Sequence, residues 1–382
     1  MIGITGTKGK STTVELLAAV FEAAGKKVAF LSSVHVKVAG VYTKNDTGNT
    51  MPGRFFIQRW LREAADAGCE YAFLEVTSQG VTQHRHRFID FNAAALTCLH
   101  AEHIESHGSY EAYRGAKVKF FRDAAQTSSK PGKVFFVNTD TGSDAQYFSQ
   151  AVLHPTGQGR FGDVIFYTRE DFVRNVLGGD TEQLGDWLSS GFNLENAAAV
   201  EAIARHYGLP TELIIAALAK FRGVSGRMEF VRSSRKPTVV VDYAHTPDSL
   251  EAIYGFLRTK LGKDGRLFGV LGGAGGGRDT WKRPAMGKIA AKLCDKVFFT
   301  SEDPYDEDPR EIIKQMTAEV PTNNYQIVID RREAIATALA HATSADIVVM
   351  TGMGSQSWFY GPKGAKIAWS ERGIAEELLK EL

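Results

Sequence analysis

Ile2-Gly3-Ile4-Thr5-Gly6-Thr7-Lys8-Gly9-Lys10-Ser11-Thr12 leaves a chain few ways to begin folding. A short apolar run, a glycine-rich turn and a Gly-Lys-Ser step lead into a stretch carrying Val14, Leu16, Leu17, Val20 and Phe21. That order predicts a strand, a phosphate-binding loop and an amphipathic helix. The glycines let backbone N–H groups turn inward around phosphate oxygens, Lys10 adds a positive charge near the terminal phosphates, and the Ser11 hydroxyl suits Mg²⁺. The positive end of the helix dipole points at the same anion. Gly6, Thr7, Lys8, Gly9, Lys10, Ser11 and Thr12 are therefore candidate nucleotide contacts. Ile4 stands where a G-x4-G-K-S motif would have its first glycine, so only the shorter G-T-x-G-K-S form is present. An ordinary glycine-rich turn is the competing reading. Because the loop lies so close to Met1, no folded segment or signal peptide is expected before it.

A length of 382 residues favours two domains. With 43% hydrophobic and 23% charged residues the chain has the balance of a globular protein, and its net charge of +1 gives no reason to expect a nucleic acid or an anionic membrane as partner. Cys69, Cys98 and Cys294 are odd in number and far apart, which suits free thiols in the cytoplasm. No apolar run approaches the roughly 20 residues of a membrane span. Short apolar runs (27–31, 71–76, 93–99, 134–137, 239–241, 267–271, 296–300, 326–329 and 347–351) alternate with amphipathic stretches (55–67, 110–125, 194–206, 211–221, 249–260 and 283–293). This predicts an α/β fold of mostly parallel sheets covered by helices. The cluster Gly223, Gly226, Ser233, Ser234 and Pro237 breaks the alternation, which restarts at Val239. Domains are accordingly expected at 1–222 and 223–382.

Several constellations carry chemistry. Tyr71–Glu75 reads as a buried strand ending in an acid, either the carboxylate that meets a nucleotide's Mg²⁺ or a solvated strand exit. Gln83-His84-Arg85-His86-Arg87 is a basic cluster suited to phosphate or carboxylate, and it lacks the interleaved aromatics of a nucleic-acid site. His100, His103 and His107 have the spacing of a zinc-binding helix face, yet Gly108 and Ser109 predict a loop there. One of these histidines beside the nucleotide metal suits the segment better. Spacing alone reads Lys117 as a surface lysine. Asp242 ends an apolar strand, where α/β folds place ligand contacts. The glycines at 272–277 are too consecutive for a dinucleotide fingerprint and predict a mobile loop presenting Arg278 and Asp279 to an anionic substrate.

Taken in order, these segments resemble the Mur ligases, ATP-dependent amide-forming enzymes of peptidoglycan precursor synthesis. They are most similar to the type that adds the third residue to UDP-N-acetylmuramoyl-dipeptide (MurE type). The resemblance rests on the loop at Gly6–Ser11, Glu75-Val76-Thr77-Ser78, Glu102-His103, Tyr113 to Lys117 and Phe192-Asn193-Leu194-Glu195-Asn196. It continues through Gly226-Arg227-Met228-Glu229, Asp242 to Asp248, Gly276 to Pro284 and Gly352-Met353-Gly354. It implies a central P-loop ATPase-type domain and a C-terminal Rossmann-like domain that binds the amino acid. It also implies that ATP turns an acceptor carboxylate into an acyl phosphate, which an amine attacks to leave an amide.

By this resemblance Lys10 holds the β/γ-phosphates, Ser11 and Glu75 hold one Mg²⁺, and His103 serves a second metal with Lys117 as a carbamylated lysine. Asn196, Arg227 and Asp242 match nucleotide contacts, and Thr50, Thr77 and Arg85 match contacts to the acceptor peptide. Arg278 matches the arginine for the incoming amino acid's carboxylate, in a neighbourhood that includes Glu302, Asp303, Tyr305, Gly352 and Gln356.

Departures from the family pattern carry their own expectations. Lys8 replaces an Asn and Gln79 a His, while Asp-Asn-Pro-Arg becomes Glu302-Asp303-Pro304-Tyr305 and Gly-Lys-Gly-His-Glu becomes Gly352-Met353-Gly354-Ser355-Gln356. Losing an arginine at Tyr305 disfavours diaminopimelate, whose distal carboxylate it would grip. The acids Glu302, Asp303, Asp306, Glu307 and Asp308 suit a cationic side chain such as lysine or ornithine, although Asp308-Pro309-Arg310-Glu311 also reads as a helix start. The usual N-terminal UDP-gripping domain is absent from the expected layout. Three readings stay open: a monomeric ligase whose UDP-muramoyl-peptide acceptor is held by two domains or by a partner protein, a ligase of a UDP-free acceptor as in folylpolyglutamate synthetases, and a nonenzymatic nucleotide-binding partner.

Overall fold

The computed structural model describes residues 1–100, 107–153, 161–233, 236–277 and 279–382, and the chain divides into two units, Met1–Arg222 and Gly223–Leu382. In the first unit the apolar runs become β1 (Ile2–Thr5), β2 (Val28–Leu31), β5 (Tyr71–Glu75), β6 (Ala93–Leu96) and β7 (Val134–Asn138). Strands β3 (His35–Val38), β4 (Val41–Lys44) and β8 (Asp163–Tyr167) complete an eight-stranded sheet in the order 4-3-2-5-1-6-7-8. All of it is parallel except the β3–β4 hairpin at one edge. Parallel strands covered on both faces must be apolar throughout, and β1, β2 and β6 are buried along their whole length.

Helices supply the covering layers. The helix Arg54–Asp66 buries Ile57, Trp60 and Ala64, an i, i+3, i+7 stripe. Burial of a large apolar side chain of this kind contributes roughly 1.5–3 kcal/mol. Trp60 Nε1 also donates to the Lys37 carbonyl (3.4 Å), which docks the helix on the hairpin. The helix Lys10–Ala23 packs on the helix Gly191–His206.

The second unit holds β9 (Glu229–Val231), β10 (Thr238–Val241), β11 (Leu267–Leu271), β12 (Lys296–Phe299), β13 (Tyr325–Ile327) and β14 (Ile347–Thr351). Their order is 13-12-11-14-10-9, with only β9 antiparallel. A separate hairpin, β15 (Trp358–Tyr360) with β16 (Lys366–Ala368), follows. Among the described residues no helix is long and apolar enough to cross a membrane.

Two sequence expectations need correction here. The helix Tyr110–Thr127 buries Lys117 to 1% exposure instead of presenting it to water. The glycines after β11 serve close packing: a Cβ at Gly275 would lie 2.0 Å from the Pro304 carbonyl oxygen, and one at Gly272 would lie 2.4 Å from Glu302 Cβ.

Candidate active site

Strand β1 sends its chain back to β2 on one side, while β6 continues to β7 on the other, so a crevice opens between their carboxyl ends. The loop leaving β1 is shaped by that crevice. Gly6 (φ 151°) and Gly9 (φ 79°) adopt backbone conformations that side chains disfavour. A Cβ on either would collide, at 1.9 Å from Thr97 Oγ1 and 2.0 Å from Asn196 Oδ1 respectively. The exit of β6 holds the loop in place: Thr7 N donates to the Cys98 carbonyl (2.9 Å) and Thr97 Oγ1 donates to the Lys8 carbonyl (2.6 Å). Lys8 N lies 3.3 Å from Cys98 Sγ, a thiol whose pKa burial raises. Lys10 Nζ donates to the Thr7 carbonyl (2.8 Å). Asn196 accepts from Thr13 Oγ1 (3.3 Å) and donates to Asn193 Oδ1 (3.2 Å), and Thr12 is buried in the first helical turn.

Register then delivers the acid. Ile4 of β1 pairs with Glu75 of β5, so Glu75 leaves its strand beside the loop. Its Oε2 accepts from Ser11 Oγ (2.8 Å), Ser33 N (2.7 Å) and Ser33 Oγ (2.9 Å). Ser33 Oγ lies 2.9 Å from Thr50 Oγ1. A serine hydroxyl and a carboxylate joined at a phosphate-binding loop are the hard oxygen donors that Mg²⁺ takes, so the residues present fit that ion.

Beneath the loop, Lys117 Nζ donates to the Gly6 carbonyl (2.7 Å) and stands 4.7 Å from the Tyr113 ring. The Tyr113 hydroxyl donates to Thr7 Oγ1 (3.0 Å). His107 Nε2 lies 3.1 Å from Ser78 Oγ, and burial followed by the charge of Lys117 lowers its pKa. Glu102 and His103 lie outside the described residues. Among those described, no three or more His, Cys, Asp or Glu side chains gather to hold a metal. Thr77 caps the short helix Ser78–Thr82 by accepting from Gly80 N (3.0 Å), and the Arg85 guanidinium donates to the Met51 carbonyl next to Thr50.

In the second unit, Asp242 at the end of β10 accepts from Met228 N and Ala244 N (both 2.6 Å), and burial raises its pKa. The Arg227 guanidinium stands 4.3 Å from the Tyr243 ring. Glu302 and Gly352 follow β12 and β14. Burial pushes the Glu302 carboxyl up to about 7, and its Oε2 has no hydrogen-bond partner among the described residues. Gly352 has a φ of 101°, which side chains disfavour, and a Cβ there would sit 1.8 Å from that oxygen.

The acidity expected to greet a cationic side chain is mostly spent on the fold. Asp303 accepts from Tyr360 N (2.8 Å) and Gln356 Nε2 (2.9 Å), and Asp306 accepts from Lys363 N (2.7 Å). Glu307 pairs with buried Arg283 (2.9 Å) and accepts from Gly277 N (2.6 Å). Asp308 caps the helix Pro309–Thr317 through Arg310 N (2.8 Å). Tyr305 stacks on Tyr360 (5.5 Å, 18°). Arg278 lies outside the described residues.

Family models match in both units: the Mur ligase middle domain over residues 4–171 and the Mur ligase glutamate ligase domain over 226–354. The chain belongs to the Mur ligase family. Similar proteins include the UDP-N-acetylmuramoyl-L-alanyl-D-glutamate--2,6-diaminopimelate ligase of Geobacillus kaustophilus, 32% identical over 100% of this chain and 79% of the relative. The UDP-N-acetylmuramyl-tripeptide synthetase of a Roseiflexus species is 33% identical over the same shares. A solved 2,6-diaminopimelate ligase of this kind superposes with a TM-score of 0.62 at 25% identity, covering 100% of this chain and 78% of the other. A folylpolyglutamate synthase of Mycobacterium tuberculosis shares the fold (TM-score 0.66, 16% identity, 92% and 88% covered). This Mur ligase is thus an ATP-dependent ligase that joins a carboxylic acid to an amino acid, of the MurE type.

Sequence reasoning missed several residues of the Mur ligase site. Ser33, which holds both Glu75 and Thr50, follows strand β2, and its only signal is a small polar residue at the carboxyl end of a parallel strand. Thr97 and Cys98 shape the loop from 90 residues away, and nothing local marks them.

Proposed function

We propose that this Mur ligase activates the carboxylate of a UDP-N-acetylmuramoyl-peptide and joins it to one amino acid. The observation that carries the reading is the convergence of Ser11 and Ser33 on Glu75 at the mouth of the phosphate loop, with Thr50 joined to Ser33. In this reading the loop amides and Lys10 bind the ATP phosphates, and Ser11 with Glu75 holds Mg²⁺. The ion would neutralise charge on the phosphates during transfer. Thr50, Thr77 and Arg85 place the acceptor carboxylate, whose oxygen takes the γ-phosphoryl group while ADP leaves. The amine of the amino acid, having lost its proton, attacks the acyl carbon, and the tetrahedral adduct expels phosphate to leave the amide. Most of the rate arises from positioning and charge stabilisation.

Residues 1–222 are proposed to bind ATP and the acceptor. Residues 223–382 are proposed to bind the amino acid, and Asn196, Arg227 and Asp242 are proposed as nucleotide contacts. His103 and a carbamylated Lys117 are proposed for a second Mg²⁺. The modification is compatible with the described contact, since a carbamate nitrogen keeps the one N–H needed by the Gly6 carbonyl. Free thiols and the need for ATP favour work in the cytoplasm. With a tyrosine at 305 and an unpartnered Glu302, an amino acid with a cationic side chain is favoured over diaminopimelate.

Phosphate release across a panel of amino acids, with and without UDP-muramoyl-dipeptide, tests the proposal. Release is expected only with both substrates, strongest with lysine or ornithine, and Glu75→Gln should lower turnover on the order of 10²–10³-fold. Release that ignores the acceptor would sink the reading, and preference for diaminopimelate would sink its amino-acid part. Carbon-13 bicarbonate NMR is expected to show a carbamate signal that Lys117→Arg removes.

A further inference from the structure

Two phenylalanines of the first unit stand almost wholly in water: Phe55 is 93% exposed and Phe88 is 85% exposed. Both adjoin the acceptor residues. Phe55 opens the helix Arg54–Asp66 five residues after Thr50, and Phe88 follows Arg85 by three. Five residues of chain keep Phe55 within roughly 17 Å of Thr50. The two segments are tied together, because the Arg85 guanidinium donates to the Met51 carbonyl and Gln58 Nε2 donates to the Phe88 carbonyl (3.2 Å). Gln58 lies on the same helix face as Phe55, one turn along.

The backbone around Phe88 is strained as well. Phe88 (φ 64°) and His84 (φ 55°) are left-handed, a conformation unfavourable for a bulky side chain. No packing offsets that strain at Phe88, since its ring is in solvent, and strain of this kind gathers at binding sites. Charge points to the ligand. Arg54 and Arg87 each precede one of the phenylalanines and are exposed, and among the described residues neither guanidinium has a carboxylate partner. Arg59 and Arg62, farther along the helix, are paired with Glu63 (3.6 Å) and Asp66 (2.9 Å).

We propose that Phe55, Phe88, Arg54 and Arg87 form a platform for the nucleoside diphosphate end of the acceptor, with the base stacked on exposed rings and the diphosphate held by the arginines. The inference rests on the reading that the acceptor is UDP-linked. Aromatic faces suit a planar base, and guanidinium forks suit phosphate oxygens. A protein partner would want a broad apolar face, whereas the polar Gln58, Arg59 and Arg62 share the helix face of Phe55.

Equilibrium dialysis of UDP against the full chain tests the platform. Phe88→Gly deletes the ring at a φ that glycine accepts, so the thermal midpoint should hold or rise while UDP binding weakens about tenfold; Phe55→Ala should weaken it similarly. In turnover, the ratio of KM for UDP-muramoyl-dipeptide to KM for the same peptide without UDP should rise about tenfold in either variant. No UDP binding by the wild type, or unchanged binding in both variants, overturns the platform. Turnover of the UDP-linked acceptor with a KM that Phe88→Gly leaves alone sinks the platform only, whereas a complete lack of that turnover sinks the acceptor reading itself. A protein captured through these rings while UDP binding stays intact also counts against the platform.

Discussion

Glu302 shows how one buried carboxyl can tie stability to pH. Burial raises its pKa from 4.5 to about 7, with Arg331, His245 and Lys282 opposing the rise and Asp303 adding to it. The folded state therefore binds the proton more tightly than the unfolded chain does. Stability from this group is full below about pH 4.5 and is lost as pH rises through about 7, a span on the order of 3 kcal/mol. Urea denaturation of the wild type should fall in midpoint between pH 5 and pH 8, and Glu302→Gln should flatten the fall and be the more stable protein at pH 8. Equal slopes for the two proteins would refute this. Burial raises Asp303 and Asp242 in the same direction, so some slope should remain in the variant.

At the scale of elements, the β3–β4 hairpin depends on one residue of the phosphate-loop helix. The Glu15 carboxylate receives hydrogen bonds from Ser32 Oγ (2.9 Å), His35 Nδ1 (3.0 Å) and the Tyr42 hydroxyl (2.8 Å). Burial and the charge of Glu15 raise the Tyr42 pKa. Glu15→Ala is expected to cost about 2–3 kcal/mol and to speed amide exchange across Val36–Thr43. Since Ser33 follows Ser32 directly, KM for the acceptor should rise too. Exchange rates equal to those of the wild type would remove this role from Glu15.

The hairpin also marks where the sequence stops being readable. Strands such as Val134–Asn138 and Leu267–Leu271 announce themselves because both faces are buried and nearly every residue is apolar. His35–Val38 and Val41–Lys44 are half-buried and exposed respectively, and their strand state comes from a pairing partner. The site divides along the same line. Lys10, Ser11 and Glu75 were legible because loop chemistry and a strand end are local signals. The grip of Ser33 on Glu75 and the burial of Lys117 depend on contacts 42 and 111 residues apart. The bonds that Asp303, Asp306, Glu307 and Asp308 make within the fold were not legible, because composition cannot tell a carboxylate offered to a ligand from one bonded to its own chain.

For the molecule as a whole, each unit owns a sheet and a core. The second packs Val239, Val241, Phe268, Phe298, Leu339 and Met350 around β10, β11, β12 and β14. A domain of that size buries enough surface to stand alone. Residues 223–382 made as a separate protein should give a dispersed NMR spectrum and one cooperative thermal transition, and a collapsed, featureless spectrum would show that the unit borrows its stability.

The pairing of Ile4 with Glu75 has a consequence for which insertions and deletions this gene can absorb. Side chains alternate across a strand, so dropping one residue within Tyr71–Glu75 turns the carboxylate to the opposite face of the sheet. The same loss in the two-residue turn at Ala39–Gly40 shifts register only where the edge strand β4 pairs with β3, away from the carboxylate. Length changes are thus ranked by their distance from the central strands, whatever their distance from the substrate, and the fifth strand is where the reading frame of the fold is least forgiving.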